Sequence, residues 1–120
     1  MAPKRILSFK FAIEGFISAF KEEPNLKIHL VVSALVIAAG LILGIELSDW
    51  LALIICIGVV ISVELTNTAI EEVTDSFTDK SHPGAKRAKD VSAAAVLVVS
   101  LMALFVGIVI FLPYLQAIFR

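Results

Sequence analysis

From Val91 to Tyr114 the chain carries no charged residue. Wound as a helix at ~1.5 Å per residue, that stretch reaches ~36 Å, more than the ~30 Å of hydrocarbon in a bilayer. A run of this kind dictates a membrane span, and two others accompany it. Leu30 to Ile45 is also uncharged. It covers ~24 Å and becomes a crossing once Ile28 and His29 are included. Trp50 opens the remaining run with an indole suited to the headgroup belt, and Leu51 to Val63 continues it without charge, Ser62 being its one hydroxyl. Hydrophobic residues make up 59% of the chain and the mean hydropathy is +0.98, far above the roughly 45–50% apolar usage of soluble domains. The expected fold is an all-α integral membrane protein with spans at about 29–45, 50–70 and 91–114, forming one domain over residues 1–120. A chain of this size is too short to enclose a large site alone, so a site shared between chains suits it. The lone Cys56 excludes an intrachain disulfide and reads as a small apolar filler within a span.

Ahead of the first span, Ile6, Phe9, Ile13, Phe16 and Phe20 recur at intervals of three and four residues, with Lys10, Glu14 and Lys21 elsewhere around the helix. This predicts an amphipathic helix over about 4–22 lying on the membrane surface. Glu22-Glu23-Pro24-Asn25 breaks it from the first span, because Pro24 has no helix donor and restricts the residue before it. Lys4, Arg5, Lys10, Lys21, Lys27, Lys80, Lys86, Arg87 and Lys89 all precede span one or lie between spans two and three, leaving only Arg120 beyond span three. The positive-inside rule then makes the N-terminus and the 76–90 loop cytoplasmic and the C-terminus external. A formal net charge of −1 matters less than this segregation, and nucleic acid is not an expected partner.

The polar residues of span two are the ones membranes penalise, and so the ones that point to function. Glu64, Asn67, Glu71 and Asp75 are separated by three, four and four residues and share one helical stripe, widened by Thr68 and Glu72. Counting from Trp50, Glu64 is ~21 Å along the axis, Asn67 ~25 Å and Glu71 ~31 Å. Glu71 thus emerges at the cytoplasmic surface while Glu64 stays ~10 Å below it, within reach of a lipid headgroup or hydroxyl. A packing carboxyl at that depth must be protonated or paired, and the hydrophobic part of each span offers no basic residue to pair with it. Glu72 lies off the stripe and reads as a solvating surface acid.

In the loop, Pro83 suits the first position of a new helix whose exposed amides form a candidate phosphate site, with Lys86 and Lys89 on one face to lean toward an anion. Asp90 sits directly against span three, and His82 reads as a cap or surface residue. Gly40 and Gly44 match GxxxG, and Ser92-Ala93-Ala94-Ala95 is a second run of small residues, both suited to close helix packing.

The pattern Glu64-x-x-Asn67-x-Ala69-Ile70-Glu71-x-x-x-Asp75, followed by Ala88-Lys89-Asp90 and Ala94-Ala95-Val96, resembles the small prokaryotic diacylglycerol kinase family. Asn25-x-x-x-His29 and His82-Pro83-Gly84-Ala85-Lys86 are similar to its undecaprenol kinase branch. The resemblance covers almost the whole chain. It implies an ATP-dependent lipid kinase of the bacterial cytoplasmic membrane, a homotrimer with sites between neighbouring chains. It further implies that Glu64 is the catalytic base, that Glu23 and Glu71 bind Mg²⁺, with Glu22 the alternative one residue away, and that Asn67 gives polar support at the substrate. ATP would be held by Glu23, Glu71, Asp75, Lys80, Ser81, His82, Lys89 and Asp90. The implied reaction moves the γ-phosphate in line onto undecaprenol or, as the alternative, diacylglycerol.

The residues are consistent with such chemistry, since phosphoryl transfer needs positioning and charge neutralisation. No GxxxxGK[ST] loop and no protein-kinase Gly-rich loop occurs, which excludes the soluble nucleotide folds those motifs mark. Two other classes compete: a small proton-coupled transporter with Glu64 as a relay, and a structural membrane subunit in which the polar stripe is an assembly contact.

Overall fold

The computed structural model describes residues 3–79 and 81–120, and these form four helices with no strand among them. They are α1 (Lys4–Glu22), α2 (Pro24–Leu43), α3 (Leu47–Phe77) and α4 (Pro83–Ile118). Three of them, α2, α3 and α4, are long and apolar enough to cross a membrane. The surface helix has the expected limits. Its stripe of Ile6, Phe9, Ile13, Phe16 and Phe20 is exposed, left uncovered by the rest of the chain as a helix lying on lipid requires.

The helix ends differ from the hydropathy limits, for local reasons. α2 starts five residues before His29, at Pro24, whose missing N–H costs nothing in the first turn. It stops at Leu43 because Gly44 turns left-handed, with φ 64°, and the amides of Gly44 and Ile45 both return to the Gly40 carbonyl. α3 runs on to Phe77, well past residue 70, because the polar stripe continues the helix beyond the apolar run. The expected 76–90 loop shrinks to residues 78–82, since the basic stretch from Pro83 is already the first two turns of α4. α4 also passes through Pro113 to Ile118 rather than ending there. Such a proline is tolerated in a membrane helix because the carbonyl it leaves free finds other partners.

The molecule measures 58 × 43 × 21 Å, so its thinnest dimension is about two helix diameters of ~10–12 Å. Within this flat layer α3 is central: it packs most extensively on α4, then on α2, and also meets α1. α2 and α4 flank it and leave a groove between them. At the end nearest the α2–α3 turn the packing is apolar, with Ile45, Leu53 and Ile110 buried against Val36, Trp50, Val106 and Phe111. Gly40 makes room there for the Trp50 indole, because a Cβ would lie 2.8 Å from its ring. The GxxxG pair is thus no single helix-packing face; Gly40 seats a side chain of its own chain and Gly44 ends the helix. The Tyr114 hydroxyl donates to Asp49 at 2.8 Å and accepts from the Glu46 amide at 3.2 Å, fastening α4 to the turn.

Candidate active site

The buried face of α3 is a single stripe: Leu53, Cys56, Val60, Glu64 and Asn67. Intervals of three and four residues keep these positions in line with Glu71 and Asp75. The face that packs against the neighbouring helices therefore changes from apolar to polar at Glu64. The expected set of 64, 67, 71 and 75 does share this side of the helix, grading outward from Glu64 at 1% exposure through Asn67 at 6% to a half-buried Glu71 and an exposed Asp75.

Asn67, Glu71 and Asp75 are each held from another element or from their own next turn. Ser92 on α4 donates its hydroxyl to Asn67 Oδ1 at 2.6 Å, and Asn67 Nδ2 donates to Glu71 Oε1 at 3.4 Å. Thr68 donates to the Glu64 carbonyl, so it serves the backbone and not the carboxyl. Lys89 reaches across from α4 to Asp75 at 2.8 Å, while Lys86 pairs with Asp90 along α4 at 2.6 Å. The two lysines do not lean together toward a common anion, because each already has a carboxylate. Asp75, Asp79, Lys86, Lys89 and Asp90 border a polar recess of about 430 Å³ between the end of α3 and the start of α4.

The start of α4 is not the open phosphate cradle expected from Pro83. His82 Nδ1 accepts from the amides of Gly84 and Ala85, and the Lys86 amide bonds the His82 carbonyl. The first-turn donors are thus already used by the capping residue. Ser81 is exposed, its amide turned to Asp79, and Lys80 lies outside the described residues.

Glu64 has a partner the hydropathy reading missed. His29, one and a half turns into α2, brings Nε2 to 3.7 Å from Glu64 Oε2, correcting the expectation that the hydrophobic part of each span offers no basic residue to pair with it. No described residue gives Oε2 a hydrogen bond. At the α1–α2 corner Glu23 is half-buried and Glu22 exposed. Burial, and then the nearby carboxylates of Glu71, Glu22 and Glu72, hold the Glu23 carboxyl above the usual carboxylate range. Glu23, rather than Glu22, is therefore the member of the pair placed within the acidic cluster. Among the described residues no lysine or arginine forms a salt bridge with Glu23 or Glu71, and no set of three metal-ligating side chains occurs. Carboxylates such as these are oxygen donors of the kind Mg²⁺ accepts beside water and phosphate oxygens.

Residues 10–111 match the sequence profile described as prokaryotic diacylglycerol kinase. The chain belongs to this family. It is similar to the undecaprenol kinase of Bacillus subtilis (strain 168), 38% identical over 90% of this chain and 88% of that protein. It is also similar to diacylglycerol kinases of Synechocystis sp., 37% identical over 94% of this chain and 65% of that protein, and of Pseudomonas aeruginosa, 30% identical over 77% and 76%. Within this member of the diacylglycerol kinase family, two contacts escaped the sequence. Ser92 was one of a run of small residues, and His29 a helix-end residue in a family motif. Counting depth from the acidic end of each helix finds the second: His29 is ~8 Å inward from Pro24, and Glu64 ~10 Å inward from Glu71.

Proposed function

We propose that this protein phosphorylates a membrane lipid alcohol, undecaprenol first, taking the γ-phosphate of ATP. Membership in the diacylglycerol kinase family makes it a lipid kinase, and its similarity to an undecaprenol kinase over most of both chains favours the polyprenol. Diacylglycerol is the second reading, carried by the relatives of that name.

One observation supports the assignment of roles above all. Glu64 is buried at the point where the packed face of α3 turns from apolar to polar, with apolar residues on one side and polar and charged residues on the other. A hydroxyl anchored by apolar tails and a nucleotide held in water meet only at such a junction. In this reading Glu64 accepts the proton of the lipid hydroxyl as its oxygen attacks the γ-phosphorus in line. Glu23 and Glu71 would hold Mg²⁺, which when bound neutralises phosphate charge. Asn67, fixed by Ser92, orients Glu71. Lys89, Asp75 and Asp90, together with Lys80, Ser81 and His82, form the nucleotide side. A transporter reading gives the recess around Lys89 no task. The flat shape and the single-chain openness of the site suit a homotrimer with shared sites, its N-terminus on the cytoplasmic side of the bacterial inner membrane.

The test is a competition in nanodiscs: purified protein, Mg²⁺, ATP labelled in its γ-phosphate, and equal amounts of undecaprenol and diacylglycerol. Label is expected in undecaprenyl phosphate ahead of phosphatidic acid. No labelled lipid of either kind would sink the proposal.

A further inference from the structure

The groove between α2 and α4 has a volume of about 530 Å³ and is floored by α3. Val32, Val36, Cys56, Val60, Leu104 and Phe111 make most of it apolar, and His29 lines it where α2 nears Glu64. His29 is 21% exposed and Glu64 1%, so the imidazole opens onto the groove while the carboxyl beside it is enclosed.

Among the described residues, that imidazole is the one basic side chain within salt-bridge distance of Glu64. From the α1–α2 corner and from α3 the charges that face it are the carboxylates of Glu23 and Glu71, and from α2 it is His29. On α4, Lys89 is paired with Asp75 and Ser92 with Asn67. The Asn67 amide nitrogen is given to Glu71, and the Thr68 hydroxyl to backbone. Oε2 is meanwhile buried with no hydrogen bond from any described residue, a costly state for a polar atom and more so for a charged one.

We propose that His29 is the positioning residue of Glu64, its Nε2–H donating to Oε2 and holding the carboxylate toward the end of the groove where the lipid hydroxyl arrives. This rests on the lipid-kinase reading and adds a residue to it. The 3.7 Å separation becomes a hydrogen bond with a small rotation of either side chain, a tightening expected when substrate fills a site. In the reaction the lipid O–H bond breaks and its proton passes to Glu64. The lipid oxygen forms its bond to the γ-phosphorus, and the bond from that phosphorus to the bridging oxygen breaks, releasing ADP. His29 keeps its own proton throughout, and its work is done by fixing where Glu64 points.

The experiment compares wild type, His29→Phe and His29→Gln in nanodiscs, measuring kcat, the KM for each substrate, and nucleotide binding. Phe fills the ring's space without its nitrogens, and the Gln amide reaches the same oxygen with an N–H. His29→Phe is expected to lower kcat about 10- to 100-fold, the usual range for a lost orienting partner, with both KM values and nucleotide affinity within about twofold of wild type. His29→Gln is expected to regain part of the loss. Should His29→Phe not assemble, His29→Leu is read on the same criteria. A wild-type kcat in the nitrogen-free variant, a loss confined to KM, or no recovery by Gln overturns the role of His29 while leaving the kinase reading intact. A wild-type protein that phosphorylates no lipid alcohol overturns the kinase reading, and this role with it.

Discussion

Ser92→Ala isolates a single link between α4 and the site. The Ser92 hydroxyl, 7% exposed, is the donor seen on Asn67 Oδ1, and Asn67, 6% exposed, has little water to replace it. Interhelical hydrogen bonds in membranes average ~0.6 kcal/mol and reach ~1.7 kcal/mol. A buried acceptor left empty falls toward the upper part of that range. Because Asn67 passes its own hydrogen bond to Glu71, the loss is expected to appear in cation and nucleotide binding. That energy corresponds to a rise of about 3- to 20-fold in the Kd for Mg²⁺·ATP. Calorimetric titration of the purified protein measures it directly. Ser92→Thr keeps the hydroxyl, and its methyl has room in the recess of about 640 Å³ that Asn67 and Ser92 border, so it should bind within about twofold of wild type. An unchanged Kd in Ser92→Ala, or an equal loss in Ser92→Thr, refutes the argument that the hydroxyl acts through Asn67.

Glu71→Ala should weaken Mg²⁺·ATP binding by at least about 10-fold, since it removes one of two carboxylates offered to the cation; unchanged affinity in the same titration counts against its metal role. Tyr114→Phe removes a bond to the Asp49 carboxylate at 2.8 Å. It should lower the midpoint of thermal unfolding in detergent by a few degrees, with kcat unaltered. For Glu23 the sign follows from its raised pKa. The fold holds that proton more tightly than the unfolded chain does, so without cation Glu23's contribution to stability is lost as pH rises through the raised value. Mg²⁺ competes with the same proton, so cation affinity should climb over that interval, and Glu23→Gln should flatten both dependences. A Glu23→Gln protein with wild-type pH dependence contradicts this.

Much of this architecture is legible in the residues. Uncharged runs of membrane length must become spans, and the intervals between Glu64, Asn67, Glu71 and Asp75 place them on one side of a helix whatever surrounds it. Pro24 marks the corner for a steric reason that needs no tertiary information. Helix ends were less legible, because hydropathy reports where the chain is apolar and not where helix stops; α3 and α4 both extend past their apolar runs as polar helix. Contacts between helices were least legible. His29 meets Glu64 and Ser92 meets Asn67 through the relative depth and rotation of two helices, which composition and periodicity within one helix do not contain. The capping of α4 by the His82 ring likewise depends on a side-chain rotamer, and it removed a phosphate site that Pro83 alone had promised.

The most direct trial of Glu64 as the base is Glu64→Gln, which keeps the shape of the side chain and removes its capacity to take a proton. Phosphate transfer to undecaprenol should fall by at least about 100-fold, the lower end of what a general base contributes, with Mg²⁺·ATP affinity within about twofold of wild type. Transfer at a rate near that of the unaltered protein would contradict it.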